Sequence, residues 1–109
     1  MADDRALTLV QEERHMEFNQ LVEAQNGLSD LSGAHLRAYD LRKFNLKQAD
    51  LTDAYLRASD LRGVDLSEAN LAGASMKEAK VSGVSFPDSL EANEIMMSLQ
   101  HGTRLRPNA

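Results

Sequence analysis

The sequence predicts a solenoid, and three observations carry the prediction. Between Ser29 and Asp88, leucine or a substitute for it returns at every fifth residue. The position two residues earlier is mostly small or apolar, and the residues directly before and after the leucine are mostly polar. The last position of several repeats is glycine, which tolerates turn geometry. Together these features are typical of an extended chain that turns a corner once per repeat.

One residue from each repeat belongs to the predicted core ladder. Five steps of about 100° would spread the leucines around a helix axis, and an odd period would throw them to alternate faces of a strand. A turn within each repeat keeps them on one side, where each buried leucine-sized side chain contributes about 1.5 to 3 kcal/mol. The core ladder consists of Leu31, Leu36, Leu41, Leu46, Leu51, Leu56, Leu61, Leu66, Leu71, Met76, Val81 and Phe86.

Several repeats, among them ADLTD, SDLRG, VDLSE and ANLAG, closely resemble those of the pentapeptide-repeat family. The family pattern is a small residue, then Asp or Asn, then Leu and two variable positions. The resemblance implies a mainly β fold, a right-handed four-sided parallel β-helix with four repeats per coil and about three coils here. The chain departs from the family pattern where His35, Tyr55, Ser75, Lys80 and Ser85 replace Asp or Asn.

The chain divides into three segments: a cap over residues 1–28, the repeat body over residues 29–88, and a second cap with a tail over residues 89–109. In the first cap the sequence predicts a strand over residues 6–10 and an amphipathic helix over residues 12–25. The apolar side of that helix is expected to contain Met16, Phe18, Leu21 and Val22.

The repeat body is expected to end at Pro87, because proline has no amide to donate to a further coil. A helix from about Glu91 to His101 should follow, with Gly102 as its left-handed stop. It is expected to cap the body over Phe86. The last seven residues, TRLRPNA, read as a frayed tail.

Composition and charge exclude several classes of protein. The net charge is −5 and cysteine is absent, which removes disulfides and thiolate sites. The repeat body holds eight Lys or Arg against nine acids, so it lacks the basic footprint of a nucleic-acid-binding protein. The chain shows no membrane-spanning run and no signal peptide, so a cytoplasmic location is expected.

No group of residues suggests catalysis. His15, His35 and His101 lie in three different segments, and no serine has the context of a nucleophile elbow. Phosphate loops and metal-ligand spacings are missing as well. We therefore expect no catalytic residue, no cofactor and no metal, and the protein is not expected to be an enzyme.

One side of the predicted body differs from the others. It carries a column without acids before the leucine and a column of cations after it, and Arg and Tyr are favoured at binding surfaces. The alternative, a solvated surface partly neutralised by Asp53 and Glu78, is favoured because surface charges contribute little. We call this side the candidate face and define it by His35, Arg37, Tyr55, Arg57, Ser75 and Lys77.

These patterns favour a non-catalytic module that binds or scaffolds an unknown protein partner. The alternative is an inhibitor or protector of a DNA topoisomerase that mimics DNA, as the family resemblance allows. A short, nearly neutral body argues against mimicry, which needs one negative charge per about 1.7 Å. A weak homodimer through the C-terminal helix is a further hypothesis, with Leu90, Ile95 and Leu99 inward and Met97, together with Met96, at the seam.

Overall fold

The computed structural model describes residues 2–108 and contains three helices and two short strands. The helices are α1 (Asp4–Gln11), α2 (His15–Ala24) and α3 (Ala92–His101). The strands are β1 (Leu28–Asp30) and β2 (Gln48–Asp50), which pair in parallel.

The repeat body brings together residues that lie twenty apart in the sequence. We refer to residues 29–48, 49–68 and 69–88 as the first, second and third units. Strand β1 pairs with β2 in the register Ser29 to Ala49. Single parallel bridges at further positions link each unit to the next in the same register: His35 to Tyr55, Asp40 to Asp60, Asp50 to Asn70, Tyr55 to Ser75, Asp60 to Lys80 and Asp65 to Ser85.

Regular strand is scarce because a turn interrupts the extended backbone in each repeat. The two strands have three residues each, whereas the helices have eight, ten and ten. By regular secondary structure the described chain is thus more helical than extended, and the expected β character resides mainly in isolated bridges. Many of the turns use left-handed backbone, both at Gly63 (φ 75°) and at residues with side chains such as Ala58 (φ 59°).

The core follows the ladder of repeat leucines. Ten of its twelve side chains, from Leu31 to Met76, are buried. Val81 and Phe86 are only partly buried and pack against the edge of the core. The core is therefore closed over the first and second units and partly open at the end of the third.

The N-terminal prediction of a strand over residues 6–10 is wrong, because these residues belong to α1. Ala6, Leu9 and Val10 are buried, and their spacing of three and four places them on one face of a helix. Asp3 caps the helix, since its side chain accepts a hydrogen bond from the Arg5 amide at 3.0 Å. The short, mostly apolar run ALTLV fits both the two-residue period of a strand and the 3.6-residue period of a helix. The Asp3 cap favours the helix.

Helix α2 lies over the first unit. Phe18 is fully buried, and its ring packs edge-on against Phe44 with centroids 5.2 Å apart. Asn19 takes the place of a neighbouring strand: it accepts from the Asn45 amide at 2.7 Å and donates to the Lys43 carbonyl at 2.9 Å. Met16 is 69% exposed, so its predicted place on the apolar side is wrong.

Helix α3 begins one residue later than expected and ends at His101 as expected, and Gly102 follows with a φ of 72°, the predicted left-handed stop. It covers the third unit at Met76. The buried Ser98 hydroxyl accepts from the Met76 amide at 2.9 Å, and the Leu99 carbonyl accepts from the Glu78 amide at 3.0 Å.

The prediction of a frayed tail after Gly102 is wrong. Leu105 is buried, its amide donates to the Ala74 carbonyl at 2.8 Å, and its carbonyl accepts from the Gly73 amide at 2.8 Å. The Asn108 amide donates to the Ser89 carbonyl at 2.7 Å. The tail is held because it supplies an apolar side chain and backbone groups that the third unit would otherwise lack.

Candidate interaction face

The candidate face is assembled by the twenty-residue register. The bridges from His35 to Tyr55 and from Tyr55 to Ser75 align one residue of each unit in a column. Their side chains point outward because the neighbouring core residues point inward, as in a strand. His35, Arg37, Tyr55 and Arg57 are exposed, whereas Ser75 and Lys77 are half-buried beside the C-terminal segment.

Two aromatic rings stack at the centre of the candidate face. The rings of His35 and Tyr55 are nearly parallel, with an interplanar angle of 11° and centroids 4.6 Å apart. The Arg104 guanidinium lies 5.8 Å from the Tyr55 ring centroid and donates to the phenol oxygen at 3.4 Å. Cation–π contacts of this kind contribute about 0.5 to 1 kcal/mol at exposed sites. The stack therefore favours one orientation of Tyr55, whose side chain is 37% exposed.

Charge on the candidate face is only partly neutralised. Arg57 lies 3.4 Å from Glu78, and Arg104 lies 3.5 Å from Asp53. These two corner acids are the counter-charges expected from the sequence. Within residues 2–108, neither Arg37 nor Lys77 has an ion pair. The face thus keeps an excess of cations on a chain whose net charge is −5.

Arg104 is the one residue of this cluster that sequence reasoning missed. The sequence predicts a frayed tail there, and no local pattern connects Arg104 with Tyr55. The connection arises because Leu105 inserts into the core and anchors the tail. The Arg104 guanidinium then also reaches the Gly73 carbonyl at 3.3 Å.

The neighbouring side of the body offers a useful contrast, because its charges are matched. Arg42 pairs with Asp40 at 2.8 Å and with Asp60 at 3.4 Å, and Arg62 pairs with Asp60 at 2.7 Å. The pKa of Asp60 is lowered to about 2, chiefly by hydrogen bonds from the Arg62 side chain. Hydrogen bonds from Arg42 also hold the pKa of Asp40 far below its ordinary value. These carboxylates form a charged ladder that supports the register.

The exposed methionines of α3 form a second, smaller feature. Met97 is 43% exposed and Met96 is 49% exposed. Leu90 is buried, and Ile95 and Leu99 are half-buried against the core. The helix therefore turns one apolar stripe inward and leaves two adjacent methionines facing solvent.

Two further observations bear on chemistry. In the part of the chain that the structure describes, no three His, Cys, Asp or Glu side chains are grouped so that they could hold a metal ion. Across the same residues, none of the helices has the length and apolar character needed to cross a bilayer.

Comparisons with known proteins bear on the repeat pattern. No curated protein and no solved structure matches the chain. The family model for pentapeptide repeats matches residues 29–63 and 49–86, with eight copies of the repeat. These matches cover more than half of the sequence and coincide with the segment in which residues twenty apart are bridged. The chain belongs to the pentapeptide-repeat family.

Proposed function

We propose that the repeat body is a right-handed, four-sided parallel β-helix of about three coils, and that the flanking helices are its caps. Parallel bridges that join residues twenty apart support four repeats per coil. The bridges recur at four positions along a unit, as one contact per side would require. The handedness is taken from the family that the chain belongs to.

We further propose that this body is a non-catalytic module that binds or scaffolds a protein partner through the candidate face. The observation that carries the proposal is the stack of His35, Tyr55 and Arg104 beside Arg37, which has no ion pair in the described chain. Aromatic and arginine side chains held in place lose little conformational freedom on binding and are enriched at interaction hot spots. A cytoplasmic location is part of the proposal, supported by the absence of cysteine.

The test is capture of partners from the source lysate by the full chain and by a double variant, Arg37→Glu with Arg57→Glu. Lys43→Glu with Lys47→Glu is the matched control, because it changes the net charge equally on other sides of the body. We expect a partner that binds wild type and control but is lost with the double variant. Equal capture by all three proteins would contradict the role of the candidate face.

Inhibition or protection of a DNA topoisomerase is the alternative function. The described chain measures 34 × 27 × 26 Å, a stubby shape that includes the helices. Such a shape is unlike the long rod of regularly spaced negative charge that duplex mimicry requires. A DNA gyrase supercoiling assay separates the two functions, since inhibition at low micromolar protein would contradict the proposal above.

We also propose a weak homodimer through α3, with Met97 at the seam and Met96 beside it. The support is their exposure on a helix whose other apolar residues face the core. A two-fold contact needs only one such stripe to meet its copy. Sedimentation equilibrium tests it: twice the monomer mass of 12.0 kDa is expected, and Met97→Glu should restore the monomer. A monomer throughout the tens of micromolar range would contradict it.

A further inference from the structure

The third unit leaves one edge of backbone uncovered. In the second unit, the equivalent groups on this side all bond to the third unit. Two of these groups are donors, the amides of Leu61 and Gly63, and two are acceptors, the carbonyls of Ser59 and Val64. The Leu61 amide donates to the Lys80 carbonyl and the Gly63 amide to the Ser82 carbonyl, both at 2.9 Å. The Ser59 carbonyl accepts from the Lys80 amide at 2.9 Å, and the Val64 carbonyl accepts from the Ser85 amide at 3.2 Å.

Twenty residues later, the same four groups have no such partners. Among residues 2–108, no backbone hydrogen bond satisfies the Val81 or Gly83 amide, or the Ala79 or Val84 carbonyl. We call these four groups the open edge. Ser82, Gly83 and Ser85 are exposed there, and Val81 and Val84 are half-buried beside them.

The adjacent side of the third unit shows how the chain treats such groups when it covers them. There the C-terminal segment supplies all four missing partners, from Ser98, Leu99 and Leu105. The bonds satisfy the Gly73 amide, the Ala74 carbonyl, the Met76 amide and the Glu78 amide. The C-terminal segment thus takes the place of a further unit on this side of the body, and it does not extend over the side that holds the open edge.

We propose that the open edge binds an extended segment of a partner protein by β-augmentation. The occupant would run parallel to residues 79–85, in the register in which these residues lie on residues 59–65. One of its residues would offer both its amide and its carbonyl, as Lys80 does. Main-chain bonds of this kind supply affinity in edge recognition, and alternate side chains supply specificity.

The chemistry of the occupant follows from what lies beneath it. Val81 and Val84 are three residues apart and partly exposed, so the segment should carry small or apolar side chains at a spacing of three. Proline is excluded where the segment must donate an amide. This site is separate from the candidate face, and the inference does not depend on the function proposed there.

The probe is a capped synthetic peptide with the sequence of residues 79–86, AKVSGVSF, because this segment makes the required bonds on the second unit. Residue-resolved amide exchange of the full chain is followed as the peptide is added. In the free protein the Val81 and Gly83 amides should exchange rapidly, whereas those of Leu41 and Leu61 should be protected. Peptide binding should slow exchange at Val81 and Gly83 by about tenfold, as hydrogen-bonded edges require.

Two methylated peptides provide the matched control. Methylation of the amides equivalent to Lys80 and Ser85 removes both donors and should weaken binding about tenfold. Methylation of the amide equivalent to Ser82 should change little, because in the described chain that amide makes no backbone bond to another unit. Absence of protection at the highest soluble peptide concentration would overturn the proposal. The proposal would also be overturned if, without peptide, amide exchange at Val81 and Gly83 slowed as the protein concentration rose. A second copy of the chain would then be the occupant of the open edge.

Discussion

At Leu51, the twenty-residue register can be tested with one side chain. Leu51 is fully buried in the second unit, and its amide donates to the Asn70 carbonyl at 2.8 Å. The register places it between Leu31 and Leu71. Leu51→Ala should lower the free energy of unfolding by about 2 to 5 kcal/mol, because it leaves a cavity between two ordered neighbours.

The control for this variant is Leu28→Ala, since Leu28 is 54% exposed. It should cost about 1 kcal/mol or less. Urea denaturation measures both. If Leu51→Ala costs no more than Leu28→Ala, then the ladder is not stacked as described.

Asp60 makes stability depend on pH at the acid end. Its folded pKa, about 2, lies below the ordinary value of 3.8 because Arg62, and more weakly Arg42, favour the carboxylate. A carboxyl with a depressed pKa stabilises the fold fully above its unfolded pKa, and the effect is lost as the pH falls through the folded value. We therefore expect the melting temperature to drop between about pH 4 and pH 2.

The matched variant for this prediction is Asp60→Asn, which keeps the shape of the side chain and removes the titration. Its melting temperature should fall less than that of wild type over the same range of pH. Parallel curves would show that Asp60 contributes nothing to the acid transition.

The repeat pattern predicts most residues of the candidate face but not Arg104. The predicted columns placed His35 beside Tyr55, and the structure stacks their rings. The sequence also named Asp53 and Glu78 as neighbouring acids. It did not connect Arg104 with Tyr55, because that contact joins residues 49 apart through a tail whose docking has no local signal.

At the scale of elements, the flanking helices use polar side chains as substitutes for strands. Asn19 serves the first unit in this way, and Ser98 serves the third. Because Ser98 is fully buried, Ser98→Ala would leave the Met76 amide without a partner. We expect a loss of about 1 to 3 kcal/mol in the free energy of unfolding.

Ser89→Ala is the matched control for Ser98→Ala, because the exposed Ser89 uses only its backbone carbonyl to hold the tail. Its cost should stay within about 0.5 kcal/mol. Equal stability of the two variants would mean that α3 is not seated over Met76.

The elements that sequence reasoning placed well are those with a long or repeated signal. The repeat body, α2 and the Gly102 stop of α3 are such cases. The sequence favours a strand in place of α1 because the run ALTLV, with four apolar residues out of five, fits the period of either element, and the Asp3 cap that favours a helix lies outside that run. The sequence predicts a frayed tail because Leu105 is its single apolar residue, and Leu105 becomes a core residue only because it packs on the third unit.

The whole molecule separates its charged and apolar surfaces. One side of the body matches its charges in the ladder of Asp40, Arg42, Asp60 and Arg62, and the candidate face keeps an excess of cations. The end of the third unit keeps partly exposed apolar residues. These surfaces differ because the twenty-residue register sorts each repeat's outward positions into separate columns. The candidate face and the open edge both depend on that register.

The register itself is tested most directly by nuclear Overhauser contacts between aromatic rings. The chain has two tyrosines and three histidines, so their resonances are few. With ring centroids 4.6 Å apart, the ring protons of His35 and Tyr55 should show a clear contact, together with one between Tyr55 and the Arg104 side chain. Absence of the His35 to Tyr55 contact in a folded protein would contradict the twenty-residue register and the candidate face built on it.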